Sequence, residues 1–105
     1  MAQQTKPYIP VHPGELIKEE IESRGISQKK MSEIIGISYT MLNEILNGKR
    51  NITAETAILF EAALNVNAEM LVNMQSSYSL QIAKKSDKLS TRFSAIRREC
   101  AATML

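Results

Sequence analysis

QKKMSEIIGISYTMLNEI, Gln28 to Ile45, holds two short apolar-periodic segments with one glycine between them. Met31, Ile34 and Ile35 offer the first segment a face to bury, and Gly36 interrupts it. Ile37 is placed to plug the turn. Ser38 is placed to cap the second segment, because its hydroxyl can accept a backbone N–H that the first helical turn leaves without a partner. In the second segment Met41, Leu42, Ile45 and Leu46 recur at helical spacing, while Tyr39, Thr40, Asn43, Glu44 and Asn47 leave the other side polar.

The same two signals, apolar period and polar cap, recur on either side. Upstream, Pro13 suits a first helical turn, Leu16, Ile17 and Ile21 form a stripe, and Gly25 stops the helix. His12, just ahead of Pro13, is read as opening that helix. Ser27 caps the second helix, Thr53 a fourth over 54–64, and Asn67 a fifth carrying Met70, Leu71, Met74, Tyr78 and Ile82. The fourth is apolar on nearly every side, which places it centrally in the core. After a polar break near Lys84, Leu89, Phe93, Ile96 and Cys100 fall at i, i+4, i+7 and i+11, one face of a sixth helix. The expected fold is all-α: residues 1–11 as an extended arm, 12–83 as a five-helix domain, and 84–105 as a basic amphipathic helix or tail.

Composition narrows the chemistry. Among 105 residues there is one His and one Cys, His12 and Cys100, some ninety positions apart. A metal site or catalytic triad needs converging partners, so no metal, cofactor, small-molecule substrate or enzymatic activity is expected. No stretch approaches the roughly 20 apolar residues that span a bilayer. The opening MAQQTKPYIPVHPG also lacks the apolar core of a signal peptide, so the expected location is cytoplasmic and no membrane partner is expected. The net charge of +2 is unevenly spread. Residues 1–78 carry seven Lys/Arg against nine Asp/Glu, whereas Lys84, Lys85, Lys88, Arg92, Arg97 and Arg98 meet only Asp87 and Glu99 in the tail. Any nucleic-acid surface on the body must therefore be a local patch.

Gln28–Ile45 supplies one. Small Ser32 lies where a bulky residue would hold two helices apart, and Met31, Ile35, Ile37, Leu42 and Ile45 can pin them at a steep angle. That is a helix-turn-helix, whose second helix fits a DNA major groove about 12 Å wide.

With these residues in place, the chain resembles the phage-repressor-type helix-turn-helix family, lambda-repressor-like in fold, and within it the HigA-type antitoxins. The likeness rests on His12-Pro13-Gly14-Glu15, Ser27-Gln28, Gly36-Ile37-Ser38, Asn43-Glu44-Ile45-Leu46-Asn47-Gly48-Lys49-Arg50, Ile52-Thr53 and the Leu64/Val66 junction. It covers about two-thirds of the chain and leaves the tail largely outside. Ser32 departs from the alanine usual there, but is small enough to serve. The resemblance implies a dimer that represses its own operon at a palindromic operator. It also implies a partner toxin similar to the RelE ribonucleases, which cut mRNA, and which the antitoxin silences by binding.

Candidate DNA contacts follow. The resemblance implies that Gln28 reaches a phosphate or an adjacent base, and its amide can donate and accept at an adenine edge; Lys29 is a lesser phosphate candidate. Ser38, Tyr39 and Thr40 begin the recognition helix. Asn43 can pair bidentately with adenine, a contact worth about 1–3 kcal/mol of discrimination. Glu44 is repelled by phosphates unless it accepts from cytosine or pairs with a neighbouring cation. Lys49 and Arg50 are expected to hold the DNA backbone, supplying affinity and salt dependence. Leu89, Phe93 and Ile96 are expected to meet a second copy or the toxin. Two other functions fit the residues: a phage- or plasmid-type regulator without a toxin, and an interaction module that does not read DNA.

Overall fold

A computed structural model describes residues 11–103 and, among them, six helices and no strand. They are α1 Pro13–Ser23, α2 Gln28–Ile35, α3 Tyr39–Leu46, α4 Ala54–Leu64, α5 Ala68–Lys84 and α6 Asp87–Thr103. The arm expected over residues 1–11 lies, Val11 apart, outside the described residues.

Each of the first five helices starts on a side chain that accepts an orphaned N–H. Ser27 takes that of Lys30 at 3.0 Å and Ser38 that of Met41 at 3.0 Å. Asn67 takes that of Met70 at 2.8 Å, and Thr53 shares a reciprocal box with Thr56. His12 does the same for α1, its Nδ1 accepting the Gly14 N–H at 2.9 Å. Such caps each contribute about 1 kcal/mol. Gly36 closes α2 at φ 75°, the left-handed conformation that an L side chain resists. The far end of α4 is closed from another element, since Arg24 after α1 donates to the Leu64 carbonyl at 2.7 Å.

Ile17, Ile21, Met31, Leu42, Ile45, Phe60, Leu64 and Leu71 are buried in one cluster spanning α1 to α5. A fully buried side chain of this kind contributes about 1.5–3 kcal/mol, so the cluster is what holds five short helices together. The line that α2 turns to the core is Met31 and Ser32, both buried, with Ile35 half-buried beside them. Ile34, expected on that face, is 53 % exposed, because it sits about a quarter-turn away on a helix only eight residues long. Ile37 is half-buried against the core rather than sealed in it. The fourth helix buries Thr56, Ala57, Phe60 and Leu64 between α2 and α5, yet Ile58 on its outer side is 59 % exposed. On α5, Leu71 is buried, Met74 and Tyr78 are half-buried, and Met70 and Ile82 are exposed.

One buried polar residue braces the body. Gln75 accepts the Ile52 N–H at 2.7 Å and donates to Asn51 at 3.2 Å and Ser79 at 3.1 Å. It thereby ties the α3–α4 connection to α5.

The sixth helix forms as its period predicts, with Ser86 accepting the Leu89 N–H at 3.2 Å, but none of its residues is buried. It leaves the body at the end of α5 as an arm. The radius of gyration is accordingly 18.3 Å, against about 13 Å for a compact chain of this length. No helix among the described residues is long and apolar enough to cross a membrane.

Candidate nucleic-acid interface

The pose of α3 is set by backbone contact on one side and small side chains on the other. A Cβ on Gly14 would collide with the Ile45 backbone carbonyl, so glycine lets the start of α1 press against the end of α3. Across from it, Ser32 is buried and folds its hydroxyl back onto the Lys29 carbonyl at 2.7 Å, leaving α2 smooth where α3 crosses. Leu42, Ile45 and Leu46 are then sealed in the core, and the opposite edge of α3 has nowhere to point but outward.

That edge carries the expected residues. Tyr39 is 52 % exposed and Thr40 is exposed beside it. Ser38 spends a lone pair on its cap and keeps its O–H free to donate. Asn43 is half-buried and donates from Nδ2 to Gln28 Oε1 at 3.1 Å, linking the recognition helix to the first residue of α2. The bond leaves the Gln28 amide as donor and the Asn43 carbonyl oxygen as acceptor, one from each helix. An adenine in the major groove presents an acceptor and a donor in the same way.

Glu44 is paired, not isolated. Its Oε1 accepts from Arg50 Nε at 2.9 Å and lies 2.8 Å from Nη2. With both partners well exposed, the pair contributes at most about 1 kcal/mol of stability. Its effect is on charge: the carboxylate next to the reading edge is neutralised, and the guanidinium is held where the loop leaves α3. Lys29 and Lys49 are exposed, and neither takes part in an ion pair among the described residues.

Leu89, Phe93 and Ile96 share one face of α6, 46 %, 57 % and 54 % exposed, with the Arg97 guanidinium 5.5 Å from the Phe93 ring centroid. At the elbow with α5 a groove of about 300 Å³ is lined by Ala83, Lys84, Leu89, Ser90 and Phe93. These residues stand on the arm, apart from the α2–α3 unit.

Two features behind α3 escaped the sequence reading: the partners of Gln75 and the burial of the His12 ring, whose helix-opening role was foreseen. Gln75 looks like an ordinary mid-helix glutamine until its partners at Asn51 and Ile52 are seen. His12 precedes Pro-Gly, which marks a helix start, but nothing local indicates that its ring is 3 % exposed and meets Tyr78 edge-on at 5.0 Å.

Comparison with known proteins bears on this geometry. Residues 17–71 match the helix-turn-helix family model. Virulence-associated protein I of Dichelobacter nodosus is 35 % identical over 76 residues, covering 71 % of this chain and 70 % of that protein. Antitoxin HigA-1 of Vibrio cholerae is 35 % identical over 72 residues, 68 % of each chain. The antitoxin HigA of Pseudomonas aeruginosa, solved with the higBA promoter, superposes with a TM-score of 0.72 at 28 % identity, over 79 % of this chain and 91 % of that one. By its matched helices and by relatives of this identity and coverage, the chain belongs to the helix-turn-helix family, in the company of the HigA-type antitoxins.

Proposed function

We propose that the chain is the antitoxin of a toxin–antitoxin pair, a dimer that represses its own operon and silences an mRNA-cleaving toxin similar to the RelE ribonucleases. The observation that carries the DNA half is the outward edge of α3, where Tyr39, Thr40 and the Gln28–Asn43 pair stand free of the core that fixes the helix. In this reading Gln28, Ser38, Tyr39, Thr40 and Asn43 read base edges, while Lys29, Lys49 and Arg50 hold phosphates and Glu44 positions Arg50. The antitoxin half is supported by the kinship with HigA-1 and by an apolar stripe on α6 that the described residues leave uncovered. Leu89, Phe93 and Ile96 serve a protein contact, with a second copy or with the toxin.

The test separates the halves. Thr40→Ala combined with Asn43→Ala is expected to abolish gel-shift binding to the DNA upstream of the gene. The same variant is expected to restore growth as fully as wild type when co-expressed with the toxin from the neighbouring gene. Unchanged DNA affinity would remove the reading edge. Absence of growth rescue by the wild-type chain would leave a regulator without a toxin partner.

A further inference from the structure

We infer that His12 is a positioning residue for operator binding: its buried ring sets the 47–50 loop, and through it the two side chains expected to grip the DNA backbone. The inference rests on the reading of Lys49 and Arg50 as phosphate-holding residues, and it adds what holds them in place.

The ring has a neighbour on each element around it. On its own helix, Nδ1 accepts the Gly14 N–H and caps α1. Towards the loop, the ring lies against Gly48, where a Cβ would come 3.6 Å from its Cγ. From α5, Tyr78 meets it edge-on at 5.0 Å. The Arg50 carbonyl faces the ring closely enough to favour its charged form, yet Nε2 reaches no partner at hydrogen-bonding geometry among the described residues. Burying a polar N–H without a full bond is costly unless the arrangement is held from elsewhere. Here it is held by the cap, the glycine and the tyrosine together.

A cap alone does not ask for histidine. Serine or asparagine caps a helix as well, with less bulk. What the imidazole adds is a flat body wide enough to touch the 47–50 loop and α5 at once. Burial keeps the imidazole below its ordinary pKa, so at neutral pH it is uncharged and Nδ1 remains an acceptor. The loop it supports begins at the end of the recognition helix, and Lys49 and Arg50 are its charged residues.

The experiment measures binding to a duplex of the DNA immediately upstream of the gene, and to an unrelated duplex of equal length, across a salt series. His12→Asn keeps a capping oxygen and removes the ring. Tyr78→Leu leaves the cap alone and removes the ring's edge support, so the question stays open to test if either variant folds poorly. Each phosphate contact contributes roughly 0.9 to the slope of log affinity against log salt. The expected result for His12→Asn is a slope shallower by about 1–2 per protomer and an affinity about tenfold weaker near 0.1 M salt. Discrimination between the two duplexes stays within about threefold, because the α3 edge is untouched; Tyr78→Leu shifts the slope in the same direction. A slope equal to wild type in both variants overturns the proposal, as does parallel loss of affinity and discrimination, which marks a loosened fold. If Lys49→Ala and Arg50→Ala themselves leave the slope unchanged, the phosphate reading fails first, and the role of His12 fails with it.

Discussion

Gly14 has no side chain because the Ile45 carbonyl occupies the space a Cβ would need. Gly14→Ala must push α1 off the back of the recognition helix, and overpacking of this kind costs about 1–3 kcal/mol. A fall in melting temperature of at least about 5 °C is expected by calorimetry; a variant as stable as wild type would mean that the approach is not tight. Its neighbour His12 adds a pH dependence whose sign is set by burial. The folded ring resists the proton that the unfolded chain accepts near pH 6.5, with the Arg50 carbonyl and Glu15 only partly offsetting that resistance. Stability from this residue is therefore complete above that pH and declines as pH falls through the window below it. Acid denaturation of His12→Asn should lack this component, and identical curves would count against it. At this scale the sequence was legible where chemistry is local. Ser27, Ser38, Thr53 and Asn67 cap as their positions foretold, and Glu44 took one of its two foreseen ways out by pairing with Arg50. The ring contact between His12 and Tyr78, and the partners of Gln75, join residues far apart in the chain, and no local pattern encodes them.

Helix ends were easier to read than helix faces. Pro13 and the caps placed the starts of α1 to α5, and glycines the stops of α1 to α3, because each is decided by one or two adjacent residues. Which side of a short helix meets the core depends on where its neighbours lie, so Ile34 was assigned inward and stands open, and the fourth helix, apolar nearly all round, still turns Ile58 outward. The last helix is the informative exception. Its stripe was read correctly as a stripe, and the described residues of the chain leave it exposed. Most helical stability in proteins comes from packing, and α6 buries none of its residues; the proposed contact with a second copy or the toxin would supply that packing. Phe93→Ser with Ile96→Ser removes two large apolar contacts, about 3 kcal/mol, and should weaken self-association or toxin binding by roughly 100-fold. Sedimentation and growth-rescue profiles both identical to wild type would retire the arm as a contact surface.

As a whole the molecule is a small body with a long handle, 58 Å in its greatest extent and 21 Å in its least. The body carries more carboxylates than cations, so the body of one copy offers DNA little electrostatic hold beyond the patch proposed around Lys29, Lys49 and Arg50. Two copies on one duplex multiply that hold, provided their recognition helices reach successive major grooves roughly 34 Å apart. Inserting five base pairs between the half-sites turns one groove to the far side of the duplex. At least about 100-fold weaker binding is expected in a gel shift, falling towards the affinity of a single module. Equal affinity for both spacings would show that each chain binds alone.

Gln75 gives the handle a mechanical meaning. It fastens the chain segment emerging from the recognition helix to the middle of α5, and the rest of that rod runs unbroken for nine residues, about 13 Å, to the elbow. On the proposed function, a protein that grasps the arm would hold one end of a stiff lever bolted, at its other end, just behind the edge of α3 expected to meet DNA. Docking at the handle, as proposed, and the aim of α3 would then share a single strut.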